Sequence, residues 1–283
     1  MYESPRSGLP RPMSTALAAD LERRFGALRR LYGDDGYARL RAARIAVVGV
    51  GGVGSWAAEA LARCGVAALV LIDLDHVAES NINRQVQALG ATLGQAKVQA
   101  LRERIADIHP GCELLTVEDF VDEQNWPALL PAPVDVVIDA CDQVRAKTAM
   151  AAWARAAGWA LVVVGAAGGK RLAHRVEVDD LAAATHDPLL AALRQRLRRE
   201  HGAARQGPLH VRCVFSREPV ALPNGACTVV DAGLNCHGYG SSVTVTASFG
   251  MAAAGEAIAQ CLAPAVPPAA AVRQGRPIQS AAP

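Results

Sequence analysis

The chain has 283 residues, 51% of them hydrophobic, enough to bury about three quarters of the surface that its unfolded form exposes. Its 29 Lys and Arg against 27 Asp and Glu leave a net charge of +2, which excludes a global field for nucleic acid, argues against DNA as a partner and confines any RNA binding to a local patch. Seven scattered cysteines (Cys64, Cys112, Cys141, Cys213, Cys227, Cys236 and Cys261) form no CxxC pair, which disfavours a zinc ribbon; with no signal peptide in view, reduced thiols in the cytoplasm are expected.

Residues 1–13 hold four prolines or glycines and read as a disordered tail. Helical spacing begins near Ser14, with Leu17, Leu21, Phe25 and Leu28 on one face, while Arg23, Arg24, Arg29 and Arg30 form either a solvated face or a reach toward phosphate. A strand over 44–50 leads to a helix over 52–64, which Gly65 ends at the C′ position. A second strand, 68–73, is followed by a helix over 94–109 stopped by Pro110-Gly111, a strand over 113–117 and a short helix around 122–130. Strand 134–139, helix 145–158 and strand 160–164 complete the alternation. Alternating strands and helices imply an α/β, Rossmann-like fold, its mostly parallel sheet covered by helices on both faces.

Past Gly165 the pattern loosens, and residues 166–263 read as a substrate lobe continuing the same domain. Its last apolar stretch, Val243 to Leu262, is interrupted by Glu256 and Gln260; it reads as a buried helix rather than a membrane contact. Residues 264–283, rich in Ala and Pro, read as a second disordered tail.

The chemistry centres on Gly49-Val50-Gly51-Gly52-Val53-Gly54, where a strand turns into a helix. Such a turn offers unpaired N–H groups and a positive dipole end to phosphates. Asp73 follows Gly54 by 19 positions, the spacing of a ribose-binding acid. A glycine turn alone fits NAD, FAD or ATP. Arg84 and Lys97 shift the reading toward a triphosphate under attack, since a bidentate guanidinium and a point-charge ammonium suit a leaving pyrophosphate. Beyond the 134–139 strand, Asp142 either holds Mg²⁺ that bridges phosphates or caps the next helix, a capping role equally open to Asp139.

The ordered set GxGGxGS, LIDLD, SNxNRQ, GxxK and DAxD resembles the adenylating enzymes of the ThiF, MoeB and ubiquitin-activating superfamily over about 130 residues. The resemblance implies an adenylating domain over 14–263, with its nucleotide-binding half at 14–165. It implies ATP bound by Gly49, Gly51, Gly52, Gly54, Asp73, Asp75, Asn81, Arg84, Gln85, Lys97 and Asp142. Arg84, Lys97 and Asp142 would serve catalysis, and Asp142 would serve Mg²⁺ through the phosphates. The two CxxC pairs usual in ThiF and MoeB are missing. So is the second arginine of their N-terminal RxxR pattern, replaced by Ala27, which leaves open which of Arg24, Arg29 or Arg30 supplies a finger, and whether from a partner subunit.

Further stretches resemble one branch, the tRNA threonylcarbamoyladenosine dehydratases: Arg24-Phe25-Gly26, Arg30-Leu31-Tyr32-Gly33, Ser55 to Arg63, Gly165 to Gly169, Asp187-Pro188-Leu189, Cys213 to Ser216 and Thr244 to Gly250. That likeness implies ATP-dependent cyclisation of a modified adenosine in tRNA through a carboxyl adenylate. It also implies a homodimer and a cysteine desulfurase or sulfur-acceptor partner. Between Lys170 and Arg217 ten Lys or Arg stand against five acids, either a tRNA footprint or the solvated face of a helix. Its tRNA candidates are Lys170, Arg171, Arg194, Arg196, Arg198 and Arg199. Cys236 is either a sulfur or thioester carrier or an incidental thiol; Cys64, Cys112 and Cys141 read as core, and His76 and His109 as polar caps. Two other functions compete: adenylation of a small sulfur-carrier protein at its C-terminal Gly-Gly, and a non-catalytic module that binds nucleotide or tRNA.

Overall fold

The computed structural model describes residues 20–221 and 239–263. Both expected tails, Ser14, Leu17, Cys227 and Cys236 lie outside the described residues. The chain opens with α1 (Leu21–Phe25), capped by the Asp20 carboxylate on the Arg23 N–H at 3.0 Å, and α2 (Ala27–Ala42), kinked at Gly33. The first described helix therefore starts at Leu21, and Gly26 breaks it from the next.

Alternation then proceeds through β1 (Arg44–Val48), α3 (Gly54–Arg63), β2 (Ala68–Ile72), α4 (Lys97–Ile108) and β3 (Glu113–Val117). It continues with β4 (Val136–Asp139), α5 (Val144–Ala157) and β5 (Ala160–Val164). The second half adds β6 (Val176–Asp180), α6 (Pro188–Glu200), β7 (Arg212–Ser216) and α7 (Val243–Leu262). The strands form one sheet in the order β3-β2-β1-β4-β5-β7-β6, parallel except for the β6–β7 pair at one edge. Strand β1 pairs with both β2 and β4, so the strand order reverses there, and the crevice at its carboxyl end is where such sheets take ligands.

Two apolar layers cover the sheet, as the period of 2 along each strand requires. Ile45 and Val47 face α3, α4 and α7, while Ala46 and Val48 face α5 and α6. Helix α7 spans the expected segment and buries Val245, Phe249, Ala253 and Ala257. Gly250 lets it close on α3: a Cβ there would stand 2.6 Å from the Val53 carbonyl oxygen and 2.8 Å from the Trp56 Cβ. No helix among the described residues is long and apolar enough to cross a membrane.

The short helix expected around 122–130 is a run of turns. The Asp122 carboxylate accepts from the N–H groups of Gln124 and Asn125 at 2.7 and 2.8 Å, and the Asn125 amide oxygen accepts from the Asp122 N–H at 2.9 Å. Side chains that bond the local backbone compete with a helix, and Pro127 removes a donor.

Candidate active site

At the carboxyl ends of β1, β2, β3, β4 and β5 lies a cleft of about 780 Å³. Its floor is the glycine turn. Gly49 has φ +82°, and a Cβ there would sit 2.9 Å from the Cys141 N and 3.0 Å from the Ala140 carbonyl, so both backbone conformation and space demand glycine. Gly51 and Gly52 line the cleft. Gly54 stands behind it, where a Cβ would collide with the Gly49 carbonyl; it seats α3 against β1 and does not face the cleft. No side chain caps the α3 N-terminus, which leaves backbone donors and the positive dipole end directed at the cleft.

Asp73 follows β2 directly. Its carboxylate accepts from the Val50 N–H at 2.8 Å and the Asp75 N–H at 2.9 Å, locking the turn to the strand end. Burial lifts its pKa above the ordinary carboxylate value, against the pull of Lys97. Lys97 begins α4 and donates to Asp75 at 2.6 Å, with Asp73 at 3.9 Å. Arg84 bonds the Ser80 carbonyl at 2.7 Å and the Asn83 side chain at 2.9 Å. Its own carbonyl accepts from the Trp56 indole at 2.9 Å and lies 3.4 Å from the Thr246 hydroxyl, so α3 and α7 together seat it. Asn81 caps its own turn by accepting from the Ala78 N–H at 3.0 Å, and Gln85 accepts from the Gln87 amide at 3.2 Å. Asp142 is exposed in the cleft wall. The N-cap of α5 is Gln143, without a side-chain bond, so neither Asp142 nor Asp139 caps that helix. The cleft thus brings together ten of the eleven residues expected at a nucleotide.

Beneath that wall Asp139 and Cys141 of the DAxD stretch meet Lys147, a residue with no sequence signal of its own. Lys147 is wholly buried and donates to Asp139 Oδ1 at 3.0 Å, the Asp139 carbonyl at 3.3 Å and the Val164 carbonyl at 2.8 Å. Burial works against its charge, yet the Asp139 carboxylate holds the ammonium above its ordinary pKa. The Cys141 thiol donates to Asp139 at 2.9 Å, and burial pushes its pKa well up. Burial likewise raises Cys64, Cys112, Cys213 and Cys261, so none of the described cysteines is poised as a thiolate. His76 lines the cleft, and His109 is the buried C-cap of α4.

Phe120, also missed from sequence, is 49% exposed and lines the cleft beyond β3. The Asn125 amide donates to its carbonyl at 2.6 Å, so the same Asp122–Asn125 turns that replace the expected helix fix this aromatic in place.

The expected tRNA contacts do not converge on the cleft. Lys170 is corrected outright: it is buried and donates to the carbonyls of His186, Ser216 and Glu218 at 3.2, 3.1 and 2.7 Å, leaving no proton for phosphate. Arg194 bonds the Leu181 and Ala184 carbonyls, Arg196 pairs with Glu200 and Glu123, and Arg198 bonds the Ala204 carbonyl. Arg199 pairs with Glu200, and Arg171 is exposed. Of α6 only Pro188 and Leu189 reach the cleft; its arginines lie roughly 9–17 Å further along the axis. Arg24 bonds the Asp107 carbonyl at the end of α4, and Arg29 pairs with Glu22 and Asp34. Arg30 is exposed, and none of the three lines the cleft.

Among the described residues no group of three or more His, Cys, Asp or Glu is placed to hold a metal alone. One exposed carboxylate beside a phosphate cradle fits Mg²⁺, which keeps most of its water and takes one or two carboxylates with substrate phosphates.

Comparison with known proteins agrees with this geometry. The model of the ThiF family matches residues 25–274. The tRNA threonylcarbamoyladenosine dehydratase of Escherichia coli is 40% identical over 264 residues, covering 89% of this chain and 98% of the relative; that of Bacillus subtilis is 37% identical over 67% and 73%. The crystal structure of the E. coli dehydratase, TcdA, in complex with ATP superposes with a TM-score of 0.78 at 40% identity, covering 87% of this chain and 97% of that one. The molybdopterin-synthase adenylyltransferase of E. coli is 37% identical but covers 45% of this chain and 51% of its own length. The chain therefore belongs to the ThiF family and, within it, to the branch of the tRNA threonylcarbamoyladenosine dehydratases.

Proposed function

We infer that this protein is an ATP-dependent dehydratase that cyclises N6-threonylcarbamoyladenosine in tRNA through a carboxyl adenylate. The observation that carries the reading is the single cleft that gathers the glycine turn, Arg84, Lys97 and Asp142 in a chain matching the E. coli dehydratase over nearly its whole length. We propose the following roles. The glycine turn and the α3 N-terminus hold phosphates, Asp73 takes the ribose hydroxyls, and Phe120 offers its face to the adenine. Arg84 and Lys97 oppose the charge that grows on pyrophosphate as the threonyl carboxylate attacks the α-phosphorus. Lys97 would leave Asp75 for the phosphates. Mg²⁺, held by Asp142 and the phosphates, would supply further neutralisation of that charge.

The carbamoyl group of the same nucleoside then attacks the adenylated carbonyl carbon, and AMP departs carrying the carboxylate oxygen. The nucleoside loses one water in net terms. Both reacting ends belong to one molecule, so holding them together supplies a high effective concentration and no protein nucleophile is required. The raised pKa values of all five described cysteines accord with that scheme.

Residues 166–263 serve this reading as the substrate half, with exposed Arg171 and Arg199 as its phosphate contacts. Family resemblance supports a cytoplasmic homodimer and a cysteine desulfurase partner. Incubation of purified protein with ATP, Mg²⁺ and tRNA bearing the modified nucleoside tests the function: mass spectrometry should show loss of one water from that nucleoside and one AMP per product. An unchanged nucleoside despite ATP turnover would overturn it. Activation of a sulfur carrier is the second reading, and the half-length match to the molybdopterin-synthase enzyme weighs against it.

A further inference from the structure

The parallel ladder between β4 and β5 opens at the cleft. The Ala140 N–H turns away to the Val48 carbonyl of β1 at 2.8 Å, and the Gly165 N–H turns the other way, to the Val214 carbonyl of β7 at 2.8 Å. Where the two strands part, the carbonyls of Asp139 and Val164 both point to one group, the Lys147 ammonium rising from α5. Each strand end runs straight into cleft wall: Ala140, Cys141, Asp142 and Gln143 on one side, Gly165, Ala166, Ala167 and Gly168 on the other.

Nothing about this arrangement lets Lys147 touch a ligand. It has no exposed surface, and its three protons match its three acceptors. A buried ion pair is a poor device for stability alone, since an apolar pair of similar shape is often as stable. Asp139 Oδ2 moreover has no partner among the described residues, so the pair is not fully satisfied. The second wall is pinned independently by Asp187, whose carboxylate accepts from the Ala166 N–H at 2.8 Å and caps α6 through the Leu190 N–H at 3.0 Å.

We propose that Lys147 is a positioning residue that sets the separation of the 140–143 and 165–168 walls and thereby places Asp142 over the nucleotide phosphates. The inference rests on the cleft being the ATP site.

The test compares wild type with Lys147→Met and with the charge-neutral double variant Asp139→Asn/Lys147→Met, reading thermal midpoint, equilibrium binding of Mg-ATP and kcat/KM for ATP and for tRNA. The single variant strands a buried carboxylate and is expected to lose much of its stability. The double variant should melt within a few degrees of wild type, yet bind Mg-ATP at least tenfold more weakly and lose at least tenfold in kcat/KM for ATP, with its KM for tRNA within twofold. A folded double variant with wild-type nucleotide affinity would overturn the inference. So would a double variant that cannot fold, because the ammonium would then serve the sheet and not the site. Wild-type protein that binds Mg-ATP but leaves the tRNA unchanged would sink the proposed function while the binding comparison still judged Lys147.

Discussion

Phe120 presents a half-exposed ring to the cleft on a backbone held by the Asn125 amide. If adenine stacks there, Phe120→Ala should raise the KM for ATP by roughly 5- to 150-fold, the equivalent of about 1–3 kcal/mol per stacked base, while Phe120→Trp stays near wild type; steady-state pyrophosphate release reads both. His109 makes a different prediction. Burial, reinforced by Arg41, lowers its pKa below the ordinary value, so the fold favours the neutral ring. Above about pH 6.5 both folded and unfolded chains leave it neutral; below that the unfolded chain takes the proton first, and stability falls. Thermal midpoints should therefore drop more steeply between pH 7 and 5.5 in wild type than in His109→Gln. The side chains that meet in the cleft could be picked out of the sequence because their motifs are local: Asp73 directly follows a strand and Arg84 sits in a fixed SNxNRQ frame. Lys147 and Phe120 could not, since a lysine in a helix and an aromatic in a turn acquire meaning only from the strand ends beside them. Lys170 failed for the same reason in reverse: its charge reads as surface in sequence, and only the fold shows three carbonyls around it.

At the scale of elements, the packing of α7 on α3 supports the site from behind. Thr246 and Trp56, one from each helix, meet the Arg84 carbonyl, and at Gly250 the two helices leave no room for a Cβ. Gly250→Ala should cost about 1–3 kcal/mol, as overpacking does, measurable by urea denaturation. Because the methyl would press on Val53 within the glycine turn, ATP binding should weaken as well. The parallel βα core could be read from apolar runs alternating with helical spacing. Strands β6 and β7 could not: Val176-Glu177-Val178-Asp179-Asp180 alternates polar and apolar residues as an edge strand does, and only the fold shows its antiparallel partner. Their pairing makes the second half part of the same sheet, with β7 parallel to β5.

For the whole molecule, a near-neutral net charge leaves no global field to attract nucleic acid, and among the described residues the cleft of about 780 Å³ is where the expected nucleotide residues meet. Arg194, Arg196 and Arg198 of the arginine-rich helix are occupied with carbonyls and glutamates, so the proposed tRNA recognition draws on fewer cations than the sequence count suggests. On the proposed function, the cleft adenylates a carboxylate carried by tRNA. Pyrophosphate release from ATP tests it most directly, triggered in parallel by tRNA bearing threonylcarbamoyladenosine and by a sulfur-carrier protein ending in Gly-Gly. Release is expected with the tRNA alone, abolished in Arg84→Ala and Asp142→Ala variants that remain folded and still bind tRNA. Release triggered only by the carrier, or wild-type rates in both folded variants, would contradict the proposed function.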